Sequence, residues 1–154
     1  MNTNIQIRRA IPEDNEEVTD FAFEIMRSMG VEPDPENIDY ALATFGQERG
    51  IPLSEFVAVD GEQLIGSIIL KPISPTVAEM TGFYVRPNYQ GQGIGPQLMK
   101  TLLSTAIEVG YKHVELTTNW NMTAAICLYE SFGWVRQSKK PENGADYLYS
   151  LSLP

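Results

Sequence analysis

The sequence carries a single cysteine, Cys127, and a single histidine, His113, among 154 residues. A lone thiol forms no internal disulfide, and one imidazole with no cysteine cluster offers no metal-ligand spacing, so no metal is expected. Bases are scarce: 11 Lys plus Arg stand against 20 Asp plus Glu, for a net charge of -9. That is the wrong sign for holding a nucleic acid backbone or an anionic membrane surface, and neither is expected as a partner. Long hydrophobic runs are absent too, since the longest, around Leu64 to Leu70, is far short of the ~20 residues of a membrane helix. The start, Met1-Asn2-Thr3-Asn4, has no apolar signal core, and with the unpaired thiol this makes a reducing cytoplasm the expected compartment. No repeat or low-complexity segment interrupts the chain. Its 17.2 kDa and 43% hydrophobic content predict one domain spanning residues 1–154.

The acids are unevenly spread. Residues 11–55 hold 12 of them against Arg27 and Arg49, a net of -10, leaving +1 for the rest. Such a run reads as a solvated face or as an acidic entrance that draws in a cation, and one surface can be both. Within it, Ile5 and Ile7 predict a strand, ended by Pro12 at a first helical position. Val18, Phe21, Ala22, Ile25, Met26 and Met29 then recur at helical spacing. Asp34 is expected to cap a second helix with Pro35 behind it, the stripe Ile38, Ala41, Leu42 and Phe45, and an end near Gly50.

From Glu55 the period changes. Phe56 to Val59, the turn pair Asp60-Gly61, and Leu64 to Leu70 predict a hairpin; Val77 to Val85 predicts a further strand that stops at Pro87. A helix is expected from Ile94 to Val109, with Leu98, Leu102 and Ala106 on one stripe, Met99, Leu103 and Ile107 widening it, and Gly110 ending it. Val114 and Leu116 predict a strand, Thr123 to Phe132 a helix, and Trp134 to Gln137 with Tyr147 to Leu153 closing strands. The order is mixed α/β.

Between a strand and that long helix lies Gln90-Gly91-Gln92-Gly93-Ile94-Gly95. Glycines let the backbone turn tightly, and a helix start offers unpaired N–H groups at the positive end of its dipole, which makes this an anion cradle. Pro96 lacks an N–H, but in a first turn little is lost. A nucleoside triphosphate loop needs Gly-Lys-Ser/Thr, and here Gly95 is followed by Pro96-Gln97. The dinucleotide fingerprint needs a small residue where Pro96 stands, and although Glu115 sits at its acidic position, it lies mid-strand with four strands preceding the loop.

The remaining pattern is Gln/Arg-x-x-Gly-x-Gly/Ala, and here the chain resembles the GNAT superfamily of acetyl-CoA-dependent N-acetyltransferases. Val85 to Gly95 is similar to that family's motif A, and Ala125-Ile126-Cys127-Leu128-Tyr129-Glu130-Ser131-Phe132-Gly133-Trp134 to its motif B. The resemblance implies an α/β (α+β) fold with a mixed central sheet of about seven strands, two neighbours splayed apart, flanked by about four helices. It also implies acetyl-CoA as co-substrate, with its pantetheine arm in the gap. Val85 would offer a backbone N–H toward the thioester carbonyl. Gln90, Gly91, Gln92, Gly93, Ile94 and Gly95 would hold the pyrophosphate, aided by Arg86 or Lys100. Asn121 would contact the cofactor, although the family's usual Asn position is occupied by Met122.

Attack by an amine, whose free pKa is about 10, requires loss of a proton. Glu79, on the strand leading to Val85 at the spacing where several relatives carry a basic-role glutamate, is the candidate base, and burial would raise its carboxyl toward neutrality. The alternative is a strand-face carboxylate paired with a neighbour. The resemblance gives Tyr129 the role of proton donor to the leaving thiolate. His113, Cys127, Trp120 and Trp134 read as structural, Cys127 as a small buried apolar group and the tryptophans as packing residues. The acceptor is then a primary amine, either a cationic small molecule or a lysine-bearing peptide, attacked directly in a ternary complex. A non-catalytic acyl-CoA-binding module and a transferase for a larger acyl group are the alternatives, and the resemblance allows a homodimer.

Overall fold

A computed structural model describes residues 4–47 and 53–154. Strand β1 (Ile5–Arg9) leads through a 3₁₀ turn at Pro12–Asp14 into α1 (Asn15–Ser28), then α2 (Tyr40–Ala43), β2 (Ser54–Asp60), β3 (Gln63–Pro72) and β4 (Val77–Val85). A 3₁₀ turn at Pro87–Tyr89 precedes α3 (Ile94–Val109), followed by β5 (His113–Thr118), α4 (Thr123–Ser131), β6 (Val135–Arg136) and β7 (Tyr147–Ser152). The strands form one seven-stranded sheet in the order β1-β2-β3-β4-β5-β7-β6. Only β4 and β5 run parallel, because α3 makes the crossover between them. The element order and the mixed sheet match the sequence expectation.

Alternation along the strands divides the core between two faces. Phe56 and Ala58 of β2 join Leu98, Met99, Leu102 and Ala106 of α3 on one side. Val57 and Val59 join Val18, Phe21, Ala22 and Ile25 of α1 on the other. Both faces of β2 are therefore covered, which is why its sequence reads as a continuous apolar run. At the β1–α1 junction the buried Asp14 carboxylate takes two bonds from Arg8, at 2.8 and 3.0 Å, and one from the Ile11 N–H at 2.9 Å. Burial alone would raise this carboxyl, but those donors outweigh it and hold it below the ordinary carboxylate value.

The β2–β3 loop is Gly61-Glu62 and not the expected Asp60-Gly61, because Asp60 is still paired to Gln63. Gly61 has φ 62, and no non-glycine among the described residues has positive φ, so glycine occupies the first central position of a type II′ turn.

Four further expectations are corrected. The second helix shrinks to the single turn of α2 and leaves Ile38 56% exposed. The Asp34 carbonyl accepts from both Asn37 and Asp39 N–H groups, and the Asp39 carboxylate takes the Asp34 N–H at 2.8 Å, so local side-chain bonding replaces the helical ladder. Gly46, at φ 74, turns the chain where an added Cβ would strike the Ile11 carbonyl, and the expected end near Gly50 lies outside the described residues. Ile107 is exposed at the rim of the α3 stripe. Cys127 is exposed on α4, since that helix turns mainly Tyr129 inward. Trp120 is 68% exposed, whereas Trp134 is buried as expected.

The feature that shapes the site is a bulge in β4. Ser67 pairs with Tyr84 and Ile69 with Thr81, so Gly82 and Phe83 together oppose Ile68. Gly82 sits at φ 58, an added Cβ would lie 2.6 Å from Ile69 Cδ1, and its carbonyl accepts a 2.8 Å bond from the buried Ser67 hydroxyl. Left-handed strain and overpacking act together here, so Gly82→Ala should lower the unfolding free energy by roughly 2–4 kcal/mol, read from the urea midpoint. Gly61→Ala, open to solvent at its turn, should cost only about 1 kcal/mol.

Candidate active site

Strands β4 and β5 pair only where Val77, Ala78 and Glu79 face His113, Val114 and Glu115. Beyond that, β5 continues with β7 as far as Thr118, while β4 follows β3 through its bulge to Val85. The two strands part, and β4 from Met80 to Val85 has no β5 neighbour. Hydrogen-bonded and non-bonded pairs alternate in an antiparallel ladder. Because the Arg86 N–H donates to the Ile65 carbonyl at 2.8 Å and Val85 faces Gly66, the Val85 N–H points away from β3 into the gap. The Val85 carbonyl takes the Gln90 side-chain amide at 3.1 Å.

The loop after β4 turns at Gly91 (φ 80) and Gly93 (φ 82), and an added Cβ at either meets open space. Backbone N–H groups of 91–95 donate to no acceptor among the described residues, as expected at the start of α3. This cradle fits a pyrophosphate. Gln92 bonds back to the Asn88 carbonyl at 3.4 Å. Tyr89 moors the loop to the hairpin through a 2.6 Å bond to Asp60. Arg86, considered for phosphate binding, is committed elsewhere: its Nε donates to the Leu64 carbonyl at 2.7 Å, Nη2 pairs with Glu17 at 3.2 Å, and the guanidinium lies 4.8 Å over the Phe21 ring. Lys100 is exposed on α3.

Two clefts open from the gap. The larger, about 580 Å³, is walled by Val85, Gln90, Gly91, Gly93, Ile94, Gly95, Asn121 and Tyr129, which brings together all the cofactor-site expectations except Gln92. The smaller, about 230 Å³, is lined by Glu79, Asp39 and Asn143. Met29, Phe83, Tyr84, Met122 and Tyr129 border both.

Tyr129 stands at this junction, 7% exposed, wedged among Phe83, Trp134 and Tyr149 with ring centroids 6.2 to 6.4 Å away. No described residue hydrogen-bonds its hydroxyl, and burial, with the Tyr84 phenol beside it, pushes its pKa up. The group therefore stays protonated at neutral pH. Glu79 is mostly buried between Lys71 and Glu115, its cross-strand neighbours. Burial raises its carboxyl; Lys71 opposes and Glu115 adds to the rise.

The Asn119 side-chain carbonyl accepts the Asp146 N–H at 3.2 Å, while His113 contacts Ser152 at 3.3 Å outside both clefts. Sequence reasoning passed over three residues here: Gly82, Tyr84 and Asp39. Burial, then the Asp39 carboxylate, push the Tyr84 phenol up to about 12. Burial likewise raises Asp39, against the Asp34 N–H bond and with the Asp34 carboxylate. Tyr84 adjoins Val85 in motif A and was legible by position, whereas Asp39 was hidden by the assumption of a regular helix.

The profile of the acetyltransferase (GNAT) family matches residues 16–134. The chain belongs to that family, and its fold is that of a GNAT acyltransferase. An uncharacterized N-acetyltransferase of Schizosaccharomyces pombe is 27% identical over 136 residues, covering 86% of this chain and 83% of that protein. Several other curated relatives are longer, and the chain spans less than half of them. Among solved structures, a GNAT-family acetyltransferase of Staphylococcus aureus superposes with TM-score 0.82 at 18% identity, covering 97% of this chain and 99% of the other. The PaiA N-acetyltransferase of Thermoplasma acidophilum, solved in complex with coenzyme A, gives 0.77 at 20% identity over 96% and 98%.

A carboxyl raised by burial destabilises the fold once ionised. Glu79→Gln should therefore be more stable than the parent above the raised Glu79 pKa. The gap should close as pH falls through that value toward the unfolded one. Denaturant unfolding at pH 8 and in mild acid reads the difference, and an equal gap at both would count against a buried charge.

Proposed function

We propose that the protein transfers the acetyl group of acetyl-CoA to a primary amine, a cationic small molecule or a lysine-bearing acceptor, by direct attack in a ternary complex. The observation that carries this is the parting of β4 from β5, which puts a free backbone N–H, a raised carboxyl and a protonated phenol on one gap. Acetyl-CoA supplies the acyl group as an activated thioester. The N–H groups of 91–95 bind its pyrophosphate, and Asn121 borders the same cleft. The Val85 N–H faces the negative charge that builds on the acyl oxygen, already oriented before reaction. Glu79, directly or through water, takes the proton of the incoming ammonium. Tyr129 gives its proton to the sulfur as it leaves, and the second proton shed by the attacking nitrogen as the amide forms restores the phenol.

The test is release of free CoA thiol across a panel of amines and lysine peptides. Tyr129→Phe, which keeps the ring packing, should lower kcat by roughly 10²-fold and leave the KM for acetyl-CoA within about twofold. Acetyl-CoA binding with no amine-stimulated release would make the protein an acyl-CoA-binding module. Faster release from propionyl- or butyryl-CoA would reassign the acyl group.

A further inference from the structure

The smaller cleft is charged in one sense only. Among the described residues, Asp39 and Glu79 are its only carboxyl linings, with no Lys, Arg or His on its wall. The two acids come from separate elements, Asp39 from the turn before α2 and Glu79 from β4. Asp39 has no cationic partner among the described residues. Its carboxylate is oriented by the Asp34 N–H at 2.8 Å. A partly buried carboxylate without a counterion is costly, and a ligand cation removes that cost.

The rest of the wall mixes adaptable apolar side chains, Met26, Met29, Ile38 and Phe83, with the polar Thr81, Thr117, Thr118, Asn119 and Asn143. Independently of the acids, Tyr129 is 7% exposed, its hydroxyl has no partner among the described residues, and it borders this same cleft, which leaves it available to the reacting end of a bound molecule.

We propose that Asp39 seats a second ammonium group of the acceptor, so that the protein prefers dications over monoamines of the same length. The assignment rests on the transferase reading, with one amine beside Glu79 and Tyr129 and the other at Asp39. Asp39 is then a specificity-determining residue that touches the substrate away from the reacting atoms.

The experiment pairs 1,5-diaminopentane with pentylamine, using calorimetric binding to the CoA-loaded protein and thiol release from acetyl-CoA. The parent should prefer the diamine by about tenfold or more in Kd and KM, the size of one partly desolvated ion pair. Asp39→Asn keeps an acceptor for the Asp34 N–H and should lose that preference through the diamine KM, with kcat and the pentylamine parameters within about twofold. Glu36→Gln, an exposed acid of the same segment outside the cleft, should keep the preference, which separates a local seat from the general acidic field. Equal handling of the two amines by the parent, an equal loss on both in Asp39→Asn, or better use of a single-lysine peptide than of the diamine would each overturn the proposal. A diamine preference in binding without thiol release would overturn the transferase reading and keep Asp39 as a dication seat. Absence of both would overturn the two together.

Discussion

A backbone N–H inside a sheet normally has one destination, the carbonyl of the neighbouring strand, and leaving it unpaired in a covered site costs free energy. This protein leaves such groups unpaired on purpose along the outer half of β4. The bulge at Gly82 turns the strand, Ser67 holds its carbonyl, and β5 keeps its own ladder with β7 instead of following. Two edges thus exist in the middle of a seven-stranded sheet. Each cleft, and the junction at Tyr129 between them, exists because that pairing stops after Glu79.

The elements around the gap divide the work by chemistry. On one side the glycine loop offers dipoles and no charge. On the other, the segment before α2 and the strand face offer carboxylates. Arg86 joins the two, because it binds Glu17 of α1, the Leu64 carbonyl of the hairpin and the Phe21 ring at once. The wall of the smaller cleft and the cradle of the larger are therefore fixed to the same strand end. Tyr89, through Asp60, adds a second tie from loop to hairpin.

Much of this was legible in the sequence, and what was legible has a common cause. Strands β2 to β4, α1 and α3 announce themselves through long apolar periodicity, which burial on a fixed face imposes. The cradle announces itself through glycines that a left-handed turn requires. Residues 34–46 were misread because Asp34, Asn37 and Asp39 satisfy each other's backbone groups locally, and propensity patterns do not register such bonds. Cys127 and Trp120 were misplaced for a related reason: composition says that a residue tends to be buried, not which way its short helix or loop turns it. Gly82 left almost no trace, since one glycine in a strand gives no sign of a bulge until its partner strand is known.

From Asn88 to Gln97 the chain carries no charged side chain. An anion seated on that loop is gripped at contact by amide groups, an interaction that dissolved ions weaken little, whereas the pull of the acidic segment on a distant cation fades within about 8–10 Å at ordinary ionic strength. Salt therefore acts on the loop and on the acidic segment unequally. Under the proposed function, a concentrated medium leaves the contact grip on the anionic partner in place while the long-range pull on the cationic one fades.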